Sequence, residues 1–284
     1  MYEQFELNND GVILAGYHFK VENAKYVVVL IHGIGEYAGR YERVANYFKE
    51  EKIAIVSMDL RGHGKTKGVR GHCAPRINVL SDIDCLINYA KELYKDIPVI
   101  VYGHSMGGGL VCDYKARGNE NGNVNGYIIS APWLKLVKSF PKPLVKVLGV
   151  IARGLPELQI SSSCNEEDLG NLDYVRPYKD DPLVHPNITL QTAYDGFMIG
   201  ESIAEGKNID NQRAYAVPTL VMHGSADKIC DVNGSRMYMK TNENNPNIKY
   251  IEWEGYYHEI HNGGPNGLTG EEPIKKAIEF IKNI

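Results

Sequence analysis

No apolar run in the 284 residues is long enough to span a bilayer, and no secretory apolar segment follows the polar opening MYEQFELNNDG. Any membrane contact is therefore expected to be peripheral, and the protein itself cytoplasmic. Cysteine is sparse. The five (Cys73, Cys85, Cys112, Cys164 and Cys230) are odd in number and lack C-x-x-C spacing, which excludes a disulfide framework and points to reduced thiols. Neither sign of charge dominates: 31 basic and 35 acidic residues leave a net −4 with no basic block, so a nucleic-acid partner is not expected. No His, Asp or Glu cluster has ligand spacing such as H-E-x-x-H, so no metal is expected. Internal repeats and low-complexity tracts are also missing. The apolar share of 43% is that of an ordered globular chain, long enough for one domain or for one domain with an insertion.

What is present is an alternation. Runs at 5–7 and 12–19 flank Asn8-Asn9-Asp10-Gly11, the pattern of an opening β-hairpin. The run YVVVLI at 26–31 is apolar throughout, as for a strand buried on both faces of a parallel sheet. Tyr41, Val44, Ala45 and Phe48 follow at helical spacing, then a strand at 53–58. A helix is marked by Val79, Ile83, Leu86 and Ala90, and a strand at 99–102 follows Pro98. A helix over 107–117 and a strand at 127–130 come next. Such alternation predicts an α/β fold with a mostly parallel, doubly wound sheet. It breaks at Pro132. From there to about Tyr194 six prolines (Pro141, Pro143, Pro156, Pro177, Pro182 and Pro186) cut the chain into short irregular pieces, read as an inserted cap at about 132–194 within a single domain over 1–284. Strands at 219–223 and 248–253 and a helix over 271–284 resume the pattern.

The strand at 99–102 runs into Gly103-His104-Ser105-Met106-Gly107, a G-x-S-x-G sequence, and then into a helix. A serine on a tight strand-to-helix turn needs small neighbours two residues away, and the turn lifts its Oγ clear of the sheet. Ser105 is accordingly the candidate nucleophile. In this arrangement the acid and the base come later in the chain, each on a loop after a late strand. Asp227 follows the strand at 219–223, with Asp231 as the alternative acid. His258 follows the strand at 248–253, with His261 on the same loop as the alternative base. The base would take the serine proton and return it to the leaving alcohol, while the acid orients the base. An oxyanion needs two donors, expected from the backbone amides of Met106 and of Ile34 in the loop His32-Gly33-Ile34-Gly35.

That loop also fits a dinucleotide fingerprint, since Gly33-Ile34-Gly35-Glu36-Tyr37-Ala38 reads G-x-G-x-x-A and Asp59 ends the next strand. Against a nucleotide-binding oxidoreductase, Gly39 would fall in the first turn of the required helix, and Asp59 leads into the tight polar turn Arg61-Gly62-His63-Gly64. A hydrolase-like fold used only for binding is the third class. Such proteins usually lack part of the triad, and every member is present here.

On HGIGEYAGRY at 32–41, DLRGHGKT at 59–66, GHSMGGG at 103–109, HGSADKICD at 223–231 and GYYHEIH at 255–261, the chain resembles the monoacylglycerol lipase and lysophospholipase branch of the α/β-hydrolases. The resemblance covers the core nearly end to end, and the cap only at Asp181-Pro182-Leu183-Val184. It implies an α/β-hydrolase fold and a lipid ester as substrate, most simply monoacylglycerol cleaved to glycerol and fatty acid without metal or organic cofactor. A lysophospholipid or a general carboxylic ester is the alternative. It also implies a triad of Ser105, Asp227 and His258, oxyanion donors at Ile34 and Met106, and an alcohol site formed by Glu36, Arg40 and His261. Glu36 and Arg40, four apart, are equally the spacing of a simple ion pair. Arg61 and His63 read as buttresses of their loop, and Cys230 as either a modulating thiol or a buried inert one. In WLKLVKSFPKPLVKVLGVIAR at 133–153 apolar residues are interleaved with Lys135, Lys138, Lys142, Lys146 and Arg153. That pattern suits a surface that roofs the site, lies in a membrane interface, or packs inward.

Overall fold

A computed structural model of the protein describes residues 2–162, 164–207 and 214–284. Its chain opens with two antiparallel strands, β1 (Glu3–Asn9) and β2 (Val12–Phe19). Asp10 and Gly11 between them both have positive φ, 50° and 76°, as a two-residue hairpin turn requires. Then come β3 (Tyr26–Ile31), helix α1 (Glu42–Glu50), β4 (Ile53–Met58), α2 (Arg76–Leu93), β5 (Val99–His104), α3 (Met106–Arg117) and β6 (Gly126–Ser130). The sheet is completed much later by β9 (Thr219–Gly224) and β10 (Ile248–Trp253), with α6 (Val232–Thr241) between them and α7 (Glu271–Lys282) closing the chain.

Eight strands join in the order β1-β2-β4-β3-β5-β6-β9-β10. All pairings from β4 to β10 are parallel, and β2 runs antiparallel to β4. The period of two divides each strand between two cores. Val27, Val29, Ile31, Val56 and Val101 face a layer made with Ile83 of α2 and Leu110 of α3. Val28, Leu30, Ile55 and Ile100 face another made with Phe48 of α1 and Ile281 of α7. With both faces covered, the continuous apolar runs are explained. The winding reverses between β3 and β5, so the loops leaving their carboxyl ends lie side by side, where open α/β sheets place their sites.

Between β6 and β9 the chain leaves the sheet. This excursion holds α4 (Lys142–Gly154), the antiparallel pair β7 (Gln159–Ser161) and β8 (Asn187–Thr189), and α5 (Leu190–Ala204). The expected short irregular pieces are thus replaced by two regular helices. Pro141 is the residue preceding α4 and Pro143 lies in its first turn, where a missing N–H costs nothing, and Pro156 falls beyond its end. The boundary expected near Tyr194 falls inside α5, which packs on α3 and α6 as well as on α4. Backbone contacts tie the excursion to the sheet's loops, among them Glu259 N–H to Leu169 O (2.6 Å) and Asn171 N–H to Asn262 O (3.1 Å). Leu136 bridges Cys230, with Val137 N–H donating to Ile229 O (3.0 Å) and Asp231 N–H to Lys135 O (2.9 Å). On the other side His185 N–H donates to Gly35 O at 3.0 Å.

Candidate active site

Ser105 stands between β5 and α3 with φ 57° and ψ −120°, a conformation that a side chain normally avoids. Its neighbours explain how the turn is held. A Cβ on Gly107 would lie 2.1 Å from Ile31 O, and one on Gly103 2.3 Å from Gly107 O. Ser105 N–H donates to Ser130 O (3.0 Å), and Ser105 O accepts from the amides of Gly109 (3.0 Å) and Trp133 (2.9 Å). The serine is therefore fixed by packing and backbone bonds rather than by its own preference.

Its Oγ lies 2.8 Å from His258 Nε2, and His258 Nδ1 lies 2.7 Å from Asp227 Oδ2. All three residues are buried. Burial alone favours neutral His258, but the charge and hydrogen bond of Asp227, with Glu259 and Glu36 behind, raise its pKa above the usual histidine value. Burial likewise pushes the Asp227 carboxyl up, and the His258 and His223 rings more than reverse it, holding the group well below the carboxylate range. The result is an ionised acid, a basic imidazole and a hydroxyl in one hydrogen-bonded line, the arrangement that makes an alkoxide-like nucleophile.

The alternatives fall elsewhere. Asp231 caps α6 through the Asn233 amide (2.9 Å) and pairs with Lys135 (3.1 Å). His261 stacks on Tyr41 at 5.4 Å and meets His104 edge-on at 5.0 Å, and its Nδ1 is buried without a hydrogen-bond partner among the described residues. Burial and the nearby Arg43 push it down to about 3, so this ring is neutral. Asp59, the acid of the dinucleotide pattern, is turned inward: it accepts from the Ala38 amide (2.9 Å), the Lys65 amide (2.7 Å) and Tyr17 Oη (3.0 Å). Arg61 is held by Asp82 in a two-pronged pair at 2.6 and 2.8 Å, and His63 is buried beside His32 and His185. Both buttress their loop.

The loop after β3 lies against the serine, since a Cβ on Gly33 would be 3.0 Å from Ser105 Cβ. Met106 follows the serine as the first residue of α3, and Ile34 and Ser105 line the same cleft. Glu36 is committed to this loop: its Oε1 accepts from the Gly33 amide (2.6 Å) and Tyr41 Oη (2.9 Å). Burial, then Glu259, pushes its pKa up to about 7. Arg40 lies 4.0 Å from Glu36 and 3.7 Å from Asp181, covers the Tyr178 ring, and donates to the carbonyls of Arg176 and Pro177. The ion pair and the common placement are thus both realised, because Glu36, Arg40 and His261 also line one cavity of about 340 Å³.

A second cleft, of about 310 Å³, opens on Ser105 itself and is walled by Trp133, Leu136, Phe140, Ile160, Ile188, Phe197 and Ile229. A mostly apolar cleft, with Lys138, Asp168 and Lys228 also on its lining, thus meets the hydroxyl on one side. Cys230 also lines it; burial and then the charge of Asp227 push its thiol well above the ordinary value, so it stays protonated.

The sequence pattern of the family described as serine aminopeptidase, S33 (Hydrolase_4) matches residues 22–264. The chain belongs to that family. It is a serine hydrolase with the α/β-hydrolase fold. It is 33% identical over 260 residues to the monoacylglycerol lipase of Mycolicibacterium smegmatis, covering 90% of this chain and 89% of that protein. An uncharacterized abhydrolase domain-containing protein of Dictyostelium discoideum is 32% identical over 263 residues, which is 90% of this chain but 26% of that longer protein. Among solved structures, Paleococcus ferrophilus monoacylglycerol lipase superposes with a TM-score of 0.79 at 28% identity, over 95% of this hydrolase and 98% of that chain.

His223 is the residue that the sequence reading missed. Its Nε2 lies 3.1 Å from Asp227 Oδ2 and its Nδ1 2.7 Å from Ser235 Oγ. At the end of a buried strand it reads as one more strand residue, and only its spacing of four from Asp227 hinted at contact.

Proposed function

We propose that this serine ester hydrolase cleaves monoacylglycerol to glycerol and free fatty acid through an acyl-enzyme on Ser105. The observation that carries the reading is the hydrogen-bonded line Ser105–His258–Asp227 at the head of an apolar cleft. His258 Nε2 takes the serine proton as Oγ attacks the ester carbonyl, and Asp227 stabilises the imidazolium. The amides of Ile34 and Met106 receive the oxyanion. As the acyl–oxygen bond breaks, His258 passes its proton to the glycerol oxygen. Water, activated by the same imidazole, then releases the fatty acid.

The acyl chain occupies the cleft walled by Trp133, Phe140 and Phe197, and the glycerol lies toward Glu36, Arg40 and His261. Supporting this split are the apolar walls of one cavity and the charged walls of the other, with His261 Nδ1 left to bond a hydroxyl. The part of the excursion over about 132–194 serves as the cap. On it α4 exposes Leu144, Val147, Val150 and Ile151 beside Lys142, Lys146 and Arg153, a composition suited to a peripheral lipid interface. No helix of the described residues is long and apolar enough to cross a membrane. The five unpaired cysteines support a cytoplasmic setting.

The experiment is a substrate panel. Monoacylglycerol should be preferred over lysophosphatidylcholine by at least about tenfold in kcat/KM, about 1.4 kcal/mol of discrimination, because a quaternary ammonium seeks an aromatic cage. His261→Ala should erode that preference while sparing nitrophenyl esters. Equal rates on both lipids would remove the headgroup assignment and leave the esterase reading standing.

A further inference from the structure

The carboxylate of Asp227 is saturated. Oδ1 accepts from the amides of Ile229 (2.7 Å) and Cys230 (2.9 Å), and Oδ2 from His258 Nδ1 (2.7 Å) and His223 Nε2 (3.1 Å). Four donors fill about the four positions such a group offers. Three of them are what a loop carboxylate and a catalytic histidine require. The fourth comes from a fully buried second imidazole on β9.

The state of that imidazole is dictated by its partners. Its Nε2 faces only acceptors, Asp227 Oδ2 and the Cys230 carbonyl (3.2 Å), so it carries the hydrogen. Its Nδ1 then offers a lone pair to Ser235 Oγ, whose side chain on α6 is also fully buried. A relay Ser235–His223–Asp227 thus reaches the same carboxylate oxygen that His258 uses. Among the described residues, the other ionisable groups facing the pair are Glu259, Glu36, His104 and His261 around His258, Glu252 beside His223, and the Cys230 thiol beside Asp227.

We propose that His223, steadied by Ser235, is a positioning residue for the reaction. It fixes Asp227 Oδ2 in line with His258 and, by sharing that oxygen, limits how strongly the carboxylate stabilises the imidazolium. The inference rests on the reading of Ser105, His258 and Asp227 as the triad. It does not depend on which ester is the substrate, because His223 lines neither of the two cavities assigned to it.

Two effects follow from removing the donor. Oδ2 loses a charge-assisted bond that fixes its direction, so plateau kcat falls. The partial positive charge of the Nε2–H also leaves the neighbourhood of His258, so the imidazolium becomes easier to form and the acid limb of the rate profile moves to higher pH.

The test uses the full chain and a nitrophenyl butyrate probe, with His223→Leu and His223→Gln compared with wild type from pH 5 to 9. For His223→Leu, kcat should fall about tenfold or more, the loss of one hydrogen bond to a charged group. KM should stay within about twofold, and the acid limb should rise by about half a pH unit or more. His223→Gln, whose amide can donate in place of Nε2, should recover most of the kcat and the wild-type limb. If His223→Leu does not fold, Ser235→Ala carries the test, since removing the hydroxyl should raise the limb in the same direction. A lowered kcat with an unmoved acid limb in either variant, or a His223→Leu enzyme equal to wild type, overturns the proposal. Wild-type protein without esterase activity would instead overturn the triad reading on which it rests.

Discussion

At the scale of single residues, the site is held in place against local preference. Ser105 keeps a φ of 57° because the loop around it is fixed, and a side chain in such a region costs about 1–3 kcal/mol. Ser105→Ala should abolish fluorophosphonate labelling and lower turnover by about 10⁶-fold, and labelling that persists would refute the nucleophile. Ser105→Gly should be equally inactive yet melt higher than Ser105→Ala, since glycine accepts that backbone without strain. Gly107→Ala, by contrast, should unfold or inactivate the protein, because its Cβ would press on the Ile31 and His32 carbonyls, which cannot yield. The three candidates that the structure brings into one hydrogen-bonded line were legible in the sequence because each stands in a local context that its chemistry demands: a glycine-flanked serine, an acid and a histidine each just past a strand. His223 has no such signature. Its role comes from Ser235 and Asp227 converging on it in space, and no spacing announces that.

Among the elements, the strands were legible because burial on both faces leaves an unbroken apolar run. The excursion was not. Its prolines read as breaks, and only the structure shows that they stand at the edges of α4, where they do no harm. The long reach of α5 was hidden for another reason, since its apolar residues serve both the sheet's helical layer and α4. The lipid-facing assignment belongs to α4, where Val150 is 66% exposed and Leu144 and Val147 about half so. Replacing Leu144, Val147 and Val150 together by Ser should weaken binding to anionic liposomes and slow hydrolysis of vesicle-borne monoacylglycerol. Hydrolysis of a short nitrophenyl ester should change by less than about twofold, because surface changes of this kind leave the fold nearly as stable. Equal loss on both substrates would assign the face to internal packing.

Over the whole molecule, buried titratable groups set the response to acid. Burial depresses His32 to about 4 and His261 to about 3, and it holds His63 and His104 well below the usual value. Each is neutral when folded and binds a proton when unfolded below about pH 6.5, so its stabilisation is complete above that pH and is lost as pH falls toward the folded value. Glu36 and Asp59, raised to about 7 and about 6, act in the opposite sense, because the folded state holds their protons first. His18, His72 and His185 are lowered as well and Asp227 is held ionised, so together with the four rings they outweigh Glu36, Asp59, Asp195 and His258, and stability falls on acidification below about pH 6. Calorimetry across that range should show the melting temperature dropping, and a flat profile would contradict the burial assigned to these rings. Exhaustive chelation should leave the esterase rate unchanged, since the described residues hold no cluster of three or more His, Cys, Asp or Glu that could take a metal. The backbone ties between the excursion and the sheet have a consequence of another kind. The Leu136–Cys230 bridge grips the loop that carries Asp227, and the His185 amide grips the loop that carries Ile34. A roof that lifted to admit a long acyl chain would therefore pull on the loop of Asp227 at one end and on the loop of Ile34 at the other. An enzyme tied in this way would be armed when shut and disarmed while loading. Bond cleavage then waits on closure, so added viscogen should slow turnover of long-chain esters and spare that of short ones, which enter without moving the lid.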